Sequence, residues 1–229
     1  MLPEPLHTIA NLTALETSLI QCRRCPRLVA WREEVARTKR RAYINEDYWG
    51  RPVPGFGDPQ ARILILGLAP GAHGSNRTGR MFTGDASGDF LFPALHRAGF
   101  CSQPAAAHRG DGLVLQDVFI TAVGRCAPPA NKPTRAELDN CQPWLRSELR
   151  LLTRLQGIVA LGRIAFEEVR RLYNLPRLDF AHNALYHFDD PALPWLLASY
   201  HPSRQNTQTG RLTEAMFDEV WKKARDEMC

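Results

Sequence analysis

Four short apolar runs alternate along the chain with segments of helical periodicity. Each run has the length expected of a strand that is buried on both faces of a sheet. The runs cover residues 62–68, 117–123, 157–161 and 195–200. Between them, apolar residues recur at spacings of three and four, which is typical of amphipathic helices. Strands that alternate with helices predict an α/β fold with a mostly parallel sheet, whose ligands bind beyond the carboxyl ends of the strands.

Local signals indicate where several helices begin. Residues 13–16 and 134–137 both have the spacing of a capping box, in which a threonine and a glutamate satisfy the first free amides of a helix. Pro26 suits the first turn of a second helix, and Thr213 suits the cap of the last one. We therefore expect two helices before the first strand and one after the fourth.

The loop after the first strand, residues 67–88, is rich in glycine. Glycine lets the backbone approach a ligand closely and adopts positive φ without strain. The loop also holds Arg77 and Arg80, which add positive charge, and Phe82, whose flat ring suits stacking on a base. It contains neither a P-loop nor a GxGxxG motif. An ordinary loop with Phe82 in the core is the alternative interpretation.

The loop after the fourth strand, residues 198–211, is polar although it follows a buried strand directly. His201 lies at the carboxyl end of that strand. The side chains beyond it, including Arg204, Gln205, Asn206 and Arg211, suit phosphates and base edges. A candidate binding site therefore combines this loop with the glycine-rich one. A purely structural histidine is the alternative.

Four cysteines form a pattern that suits metal ligation. Cys22 and Cys25 make a C-x2-C pair between two predicted helices, whereas Cys126 and Cys141 lie just past a strand and within a helix. Four thiolates from two distant segments can bind either zinc or an iron–sulfur cluster, and the spacing does not distinguish them. Buried, unligated cysteines are a third interpretation. The pattern leaves out Cys101 and Cys229.

Composition adds a modest preference for polyanions. The 229 residues carry a formal net charge of +5, and such a basic excess favours nucleic acid as a partner. The length fits one domain, which we expect over residues 1–229. No apolar run approaches the roughly 18 residues that span a bilayer, and no signal peptide is recognisable. We therefore expect a cytoplasmic protein with reduced cysteines and no membrane contact.

These residues together resemble the uracil-DNA glycosylase superfamily, and most closely its family 5 (B-type) enzymes. The similarity lies in the motif GLAPGAHGSNRTGRMFTGD, in the motif SYHPSRQNTQTGRLT, in the element RCAPP and in the four-cysteine arrangement. It extends from Cys22 to about Phe217, which is nearly the whole chain.

The resemblance implies a three-layer α/β/α sandwich around a four-stranded, mostly parallel sheet. A structural 4Fe-4S cluster, held by Cys22, Cys25, Cys126 and Cys141, would tie the N-terminal helical segment to the sheet. The implied substrate is double-stranded DNA that contains deaminated bases, uracil first and hypoxanthine among the others. We expect a monomer that associates with the nucleoid.

The resemblance also implies roles for individual residues. His201 would stabilise negative charge on the departing base, and Asn76 or Asp85 would position the attacking water. The expected base-binding residues are Ala69, Gly71, Phe82, Thr121 and Ala122. The expected DNA contacts are Arg77, Arg80, Ser203, Arg204, Gln205, Asn206 and Arg211. Residues 202–211 would enter the minor groove as a wedge.

Two departures from the superfamily pattern bear on the mechanism. Many members have an acidic residue or asparagine near the position of Ala69, and relatives read uracil with an asparagine where this chain has Thr121 and Ala122. Because family 5 enzymes also lack these groups, we expect a dissociative reaction and a pocket that rejects fewer bases. The alternatives are a catalytically weak iron–sulfur DNA-binding protein, a relative that crosslinks to the abasic product, and a zinc-binding regulatory domain.

Overall fold

A mixed six-stranded sheet forms the centre of the computed structural model, which describes residues 9–228. The strands are β1 (Phe56–Gly57), β2 (Ile63–Gly67), β3 (Val118–Ala122), β4 (Gly157–Leu161), β5 (Leu185–Tyr186) and β6 (Trp195–Ser199). Their order across the sheet is β1-β3-β2-β4-β6-β5. The inner four are parallel, and β1 and β5 pair antiparallel at the two edges.

The inner strands are the four that the apolar runs predict. The expectation of a four-stranded sheet is nevertheless wrong, because β1 and β5 extend it on both sides. Each edge strand has only two residues and is half-buried, so neither leaves an apolar run in the sequence.

Eight α-helices lie within residues 9–228. They are α1 (Leu12–Leu19), α2 (Pro26–Thr38), α3 (Ser75–Thr78), α4 (Ala86–Arg97), α5 (Arg135–Leu151), α6 (Arg163–Leu172), α7 (Arg204–Gln208) and α8 (Glu214–Asp226). The capping box at Thr134 and the cap at Thr213 are confirmed. The box expected at Thr13 is wrong, because Asn11 caps α1 by accepting from the Ala14 amide at 2.9 Å. No helix of the described part of the chain is long and apolar enough to cross a membrane.

Helices cover both faces of the sheet, as the alternation of side chains along each strand requires. Ile63 and Ile65 of β2 pack in one apolar cluster with residues of α4 and α8. Leu64 and Leu66 pack in another with residues of α5 and α6. The α/β/α layering is therefore as expected, and all four residues are fully buried.

The N-terminal helices are attached to α5 by ordinary packing. Leu15 and Leu19 of α1 pack against Trp144 of α5 in a small apolar cluster. Arg27 of α2 forms a bidentate ion pair with Glu137 of α5, with contacts of 2.7 and 2.8 Å. Packing and an ion pair therefore join the N-terminal helices to α5.

Candidate active site

A groove of about 780 Å³ opens at the carboxyl ends of the inner strands, where the strand order predicts a ligand site. Its walls come from the loop after β2, the segment after β3, the start of the loop after β6, and the segment that follows α2. We call it the carboxyl-end groove. Nine of the expected site residues line it, namely Ala69, Gly71, Phe82, Asp85, Ala122, His201, Ser203, Arg204 and Gln205.

Phe82 and His201 form a stacked pair in this groove. Their ring centroids are 5.9 Å apart and the ring planes differ by 29°. Phe82 has a φ of +52°, which non-glycine residues adopt rarely, and its ring lies against Gly67. A Cβ on Gly67 would lie 2.8 Å from Phe82 Cζ, so glycine is required there for the ring to reach the groove.

His201 is a neutral imidazole at physiological pH. Burial lowers its pKa to about 4, because the charged ring would lose solvation in the groove. Among residues 9–228, neither ring nitrogen has a hydrogen-bond partner, whereas its backbone carbonyl accepts from Asn206 Nδ2 at 2.9 Å. The imidazole can therefore donate an N–H to a ligand in the groove without carrying a charge.

Asp85 is held in place as the N-cap of α4. Its Oδ1 accepts from the amides of Ser87 at 3.0 Å and Gly88 at 3.2 Å. Its Oδ2 lies beside Gly71 and Gly74, where a Cβ on Gly74 would overlap it. Burial raises the pKa of this carboxyl, which is the behaviour of a group suited to accept a proton. Asp85 therefore has a structural role as a helix cap as well as a place in the groove wall.

Asn76 lies behind the groove wall and does not line it. The residue is fully buried, and its Nδ2 donates to the carbonyls of Arg32 at 3.3 Å and Ala72 at 3.5 Å. Asn76 therefore ties α2 to the loop after β2. This placement corrects the expectation that its side chain contacts the attacking water.

Arg77 and Arg80 are structural, which corrects the expectation of DNA contact. Both side chains are buried. Arg77 forms an ion pair with Glu46 and donates to the His73 carbonyl at 2.7 Å. Arg80 pairs with both carboxylate oxygens of Asp111 at 2.6 and 2.8 Å. Their charges are therefore neutralised inside the protein.

Thr121 points away from the groove. It is fully buried on the α5 side of the sheet, and its hydroxyl donates to Glu148 Oε2 at 2.8 Å. Glu148 in turn forms a bidentate ion pair with Arg125. Because adjacent strand residues face opposite sides, Ala122 lines the groove and Thr121 does not, which corrects the expected base contact.

The expected wedge is a short helix, α7, and not an irregular loop. Ser203 caps it by accepting from the Asn206 amide at 3.4 Å. Arg204 and Gln205 are exposed and line the groove. Asn206 is engaged with His201, and Arg211 lies outside the groove, 4.7 Å from the centre of the Tyr200 ring. Of the five candidate DNA-binding residues in this segment, Arg204 and Gln205 thus have side chains exposed at the groove.

The four patterned cysteines line one small cavity between the N-terminal helices and α5, which we call the cysteine cavity. Donors surround their sulfurs. Arg32 Nη1 lies 2.9 Å from Cys126 Sγ, the Arg125 amide 3.3 Å from Cys141 Sγ, and Asn140 Nδ2 3.6 Å from Cys25 Sγ. The cysteines within residues 9–228 are not in disulfides.

No group of three His, Cys, Asp or Glu side chains in residues 9–228 is arranged to hold a metal ion. Cys101 is buried away from the cavity, beside the carbonyl of Gln103 at 3.2 Å, as its lack of a pattern predicts. Cys229 lies outside the described residues.

Comparison with known proteins identifies the family. The family model of the uracil DNA glycosylase superfamily matches residues 54–225. A type-5 uracil-DNA glycosylase of Thermus thermophilus is 58% identical over 214 residues, which cover 93% of this chain and 96% of that protein. The chain belongs to the type-5 uracil-DNA glycosylases. The resemblance in the motifs is thereby confirmed.

More distant members define this placement further. A type-5 uracil-DNA glycosylase of Mycobacterium leprae is 51% identical over 94% of this chain and 95% of its own length. A type-4 uracil-DNA glycosylase of Pyrobaculum aerophilum is 37% identical, but over only 55% of this chain. The type-5 relatives thus match along nearly the whole chain, whereas this type-4 relative matches about half of it.

Several residues of this type-5 chain are important in the structure but were missed from sequence. Arg32 looks like one more polar residue of an amphipathic helix, yet it is buried and donates to the Cys126 sulfur. Glu148 lies on α5 among other charged residues, and only the fold brings it to Arg125. Arg40, by contrast, belongs to the basic run at residues 37–41, for which the sequence leaves open DNA contact or an ordinary solvated face, and the structure places it at the groove.

Proposed function

We propose that this enzyme removes uracil from DNA by hydrolysing the N-glycosidic bond, which leaves an abasic site. Membership of the type-5 uracil-DNA glycosylases supports this function. The observation that supports the chemistry of this function is the Phe82–His201 pair at the carboxyl ends of the strands. A flat ring and a neutral N–H donor are what an extruded, planar base with carbonyl oxygens requires.

The nucleotide must leave the DNA stack before it can reach this groove, at a cost of a few kcal/mol. A mismatched uracil opposite guanine opens more easily than uracil paired with adenine. α7 carries the exposed Arg204 and Gln205 at the groove edge and is the element that would fill the gap in double-stranded DNA. The short helix, capped by Ser203, makes this wedge more rigid than an irregular loop.

The base would stack on Phe82, with the backbone around Ala69 and Gly71 beside it. Ala122 contributes no hydrogen bond on the neighbouring wall, and Thr121 is turned to the other face of the sheet. A pocket with few fixed hydrogen-bonding groups rejects few bases. We therefore propose that hypoxanthine and other deaminated bases are also removed.

Cleavage would be largely dissociative, because Ala69 cannot activate water. Negative charge that develops on the base oxygen would be stabilised by the N–H of neutral His201, which is already positioned. Positive charge that develops on the sugar would be stabilised by the Asp85 carboxylate, which would also orient the water. Asn76 supports this loop from behind by its bonds to Arg32 and Ala72.

The decisive experiment compares the wild type with His201→Ala on a labelled duplex that contains one uracil. Alkali then converts abasic sites to strand breaks. We expect breakage by the wild type and a loss of about 10²–10³ in rate for the variant. A folded wild type that breaks neither uracil nor hypoxanthine duplexes would contradict the function and favour a DNA-binding protein without glycosylase activity.

We further propose that the cysteine cavity holds a 4Fe-4S cluster through Cys22, Cys25, Cys126 and Cys141. The chemistry of the donor set fits. Four thiolates around a cluster carry net negative charge, and the buried Arg32 guanidinium and two N–H donors point at three of these sulfurs. Its part is structural, since it would join α2 to the segment after β3.

Metal analysis tests this second proposal. We expect about four iron atoms and four acid-labile sulfides per chain, a brown colour and broad visible absorption. Cys126→Ser should lower the iron content and the thermal midpoint, whereas Cys101→Ser should leave the iron content unchanged. One zinc per colourless chain, without sulfide, would contradict the cluster and leave the glycosylase function untouched.

A further inference from the structure

A basic segment at the end of α2 extends to the carboxyl-end groove. Residues 37–41 contain three arginines and one lysine. Arg37 is neutralised on its own helix by Glu34, with its shortest contact at 2.7 Å. Arg40 is exposed and lines the groove. Within residues 9–228, its guanidinium has no hydrogen-bond or ion-pair partner, so its charge is available to a ligand.

The backbone around Arg40 is fixed to the groove wall. The Arg40 amide donates to the Tyr48 hydroxyl at 3.3 Å, and this hydroxyl lies 3.1 Å from His73 Nδ1, to which it can donate. The Tyr43 ring centre lies 3.9 Å from the Arg77 guanidinium, which is itself buried in the loop after β2. The segment is therefore held to the groove wall by Tyr48, which contacts His73, and by Tyr43, which contacts Arg77. The Arg40 guanidinium stays unpaired within the described residues.

We propose that Arg40 binds a backbone phosphate of the DNA strand whose base enters the groove. This inference rests on the proposed function. The planar guanidinium matches the geometry of a phosphate and binds it bidentately. Arg204 lines the same groove from α7 and is also without a partner in the described part of the chain. Two separate segments therefore present a positive charge where the strand must bend to release its base.

The electrostatic surroundings support a phosphate at this position. Burial lowers the pKa of His73, and the charges of Arg40 and Arg77 lower it further. The Tyr48 bond and this shift both indicate a neutral His73 ring on the groove wall. Arg40 is thus an exposed cation on this side of the groove, without an ion-pair partner in the described part of the chain, and a bound phosphate would neutralise its charge.

The test measures binding of a duplex that carries one central, uncleavable abasic analogue, across a range of salt concentrations. Wild type, Arg40→Ala and the matched control Arg37→Ala are compared. We expect about tenfold weaker binding for Arg40→Ala. The slope of log affinity against log salt should fall by about 0.9 in magnitude, as for the loss of one phosphate contact. Arg37→Ala should stay within about twofold of the wild type.

A second measurement identifies the phosphate. Single phosphates of the damaged strand are replaced one at a time by neutral methylphosphonates. At one position, the replacement should weaken the wild type about tenfold and Arg40→Ala hardly at all.

The outcomes separate this inference from the proposed function. One outcome would overturn the Arg40 contact alone. In it, the wild type cleaves uracil, but Arg40→Ala keeps the full salt slope and loses affinity at each methylphosphonate position that weakens the wild type. A folded wild type that neither cleaves uracil nor binds the abasic duplex would overturn both.

Discussion

The cysteine cavity and the carboxyl-end groove lie at neighbouring places in the fold but are built in opposite ways. The cavity is small, and the buried cations beside it donate to sulfur and carboxylate atoms of the protein. The groove is much larger, and the guanidinium groups of its exposed arginines, Arg40 and Arg204, have no protein partner among the described residues. One region satisfies its charges internally and is built for stability, whereas the other leaves charges unsatisfied for a ligand.

The two regions share elements, so neither is independent of the other. Arg32 donates to Cys126 through its side chain and accepts from Asn76 of the groove loop through its carbonyl. On β3, Thr121 joins the buried ion pair near the cavity, and its neighbour Ala122 lines the groove. Damage to the cavity should therefore reduce stability first and affect the groove only through α2 and β3.

The largest effect is expected for Glu148→Gln, which removes the negative partner of the buried Arg125. Both side chains are almost completely buried, so the remaining guanidinium would be an uncompensated charge. We expect the free energy of unfolding to fall by about 3–5 kcal/mol. Urea denaturation measures this loss.

The control for this variant is Glu34→Gln, which breaks the exposed ion pair with Arg37. Its loss should be within about 1 kcal/mol. Equal losses for the two variants would mean that the buried pair contributes no more than a surface pair, and the contrast between cavity and groove would fail at this point.

The sequence predicts the positions of the strands and the groove better than the orientation of individual side chains. Apolar runs locate the four inner strands because full burial leaves a continuous signal, and strand order then places the loops that carry Phe82 and His201. Arg77 and Arg80 were predicted to contact DNA because arginines in a glycine-rich loop suggest such a contact. Glu46 precedes its partner Arg77 by 31 residues, and Asp111 follows its partner Arg80 by 31 residues, so only the fold brings each pair together.

The next effect concerns Asp85, the carboxylate of the groove. Asp85→Asn keeps an oxygen that can cap α4 but cannot carry negative charge. We expect the single-turnover rate of uracil release to fall about 10²-fold. In the wild type, the rate should fall as the pH drops through the pKa of Asp85, which burial raises, and the variant should lack this acid limb.

Asp89→Asn is the matched control, because Asp89 also lines the groove but is exposed. It should keep the acid limb and most of the rate. A wild-type rate that does not change as the pH falls, or a normal rate in Asp85→Asn, would remove Asp85 from the chemistry and leave it as a helix cap.

A smaller effect links His201 to the pH dependence of stability. The ring has a pKa of about 4 in the folded protein, below its ordinary value of 6.5, so the unfolded chain takes up a proton first as the pH falls. The free energy of unfolding should therefore decrease from pH 6.5 towards pH 4, by about 2 kcal/mol at pH 5 from this group. His201→Gln should lack this contribution.

The stability of the two proteins is compared between pH 7 and pH 5. If His201→Gln keeps the pH dependence of the wild type, His201 titrates as an ordinary histidine, and its neutral state in the groove is wrong.

The smallest effect distinguishes two neighbours on α7. Asn206→Ala removes the bond to the His201 carbonyl, which contributes about 1 kcal/mol, so cleavage should slow up to about tenfold on single-stranded and duplex uracil DNA alike. Gln205→Ala removes an exposed side chain at the groove edge and should slow cleavage of duplex DNA only. Single-turnover rates on the two substrates measure the difference. If Gln205→Ala slows both substrates equally, α7 positions His201 and does not act as a wedge. If Asn206→Ala slows duplex cleavage alone, its bond to His201 serves base extrusion and not the cleavage step.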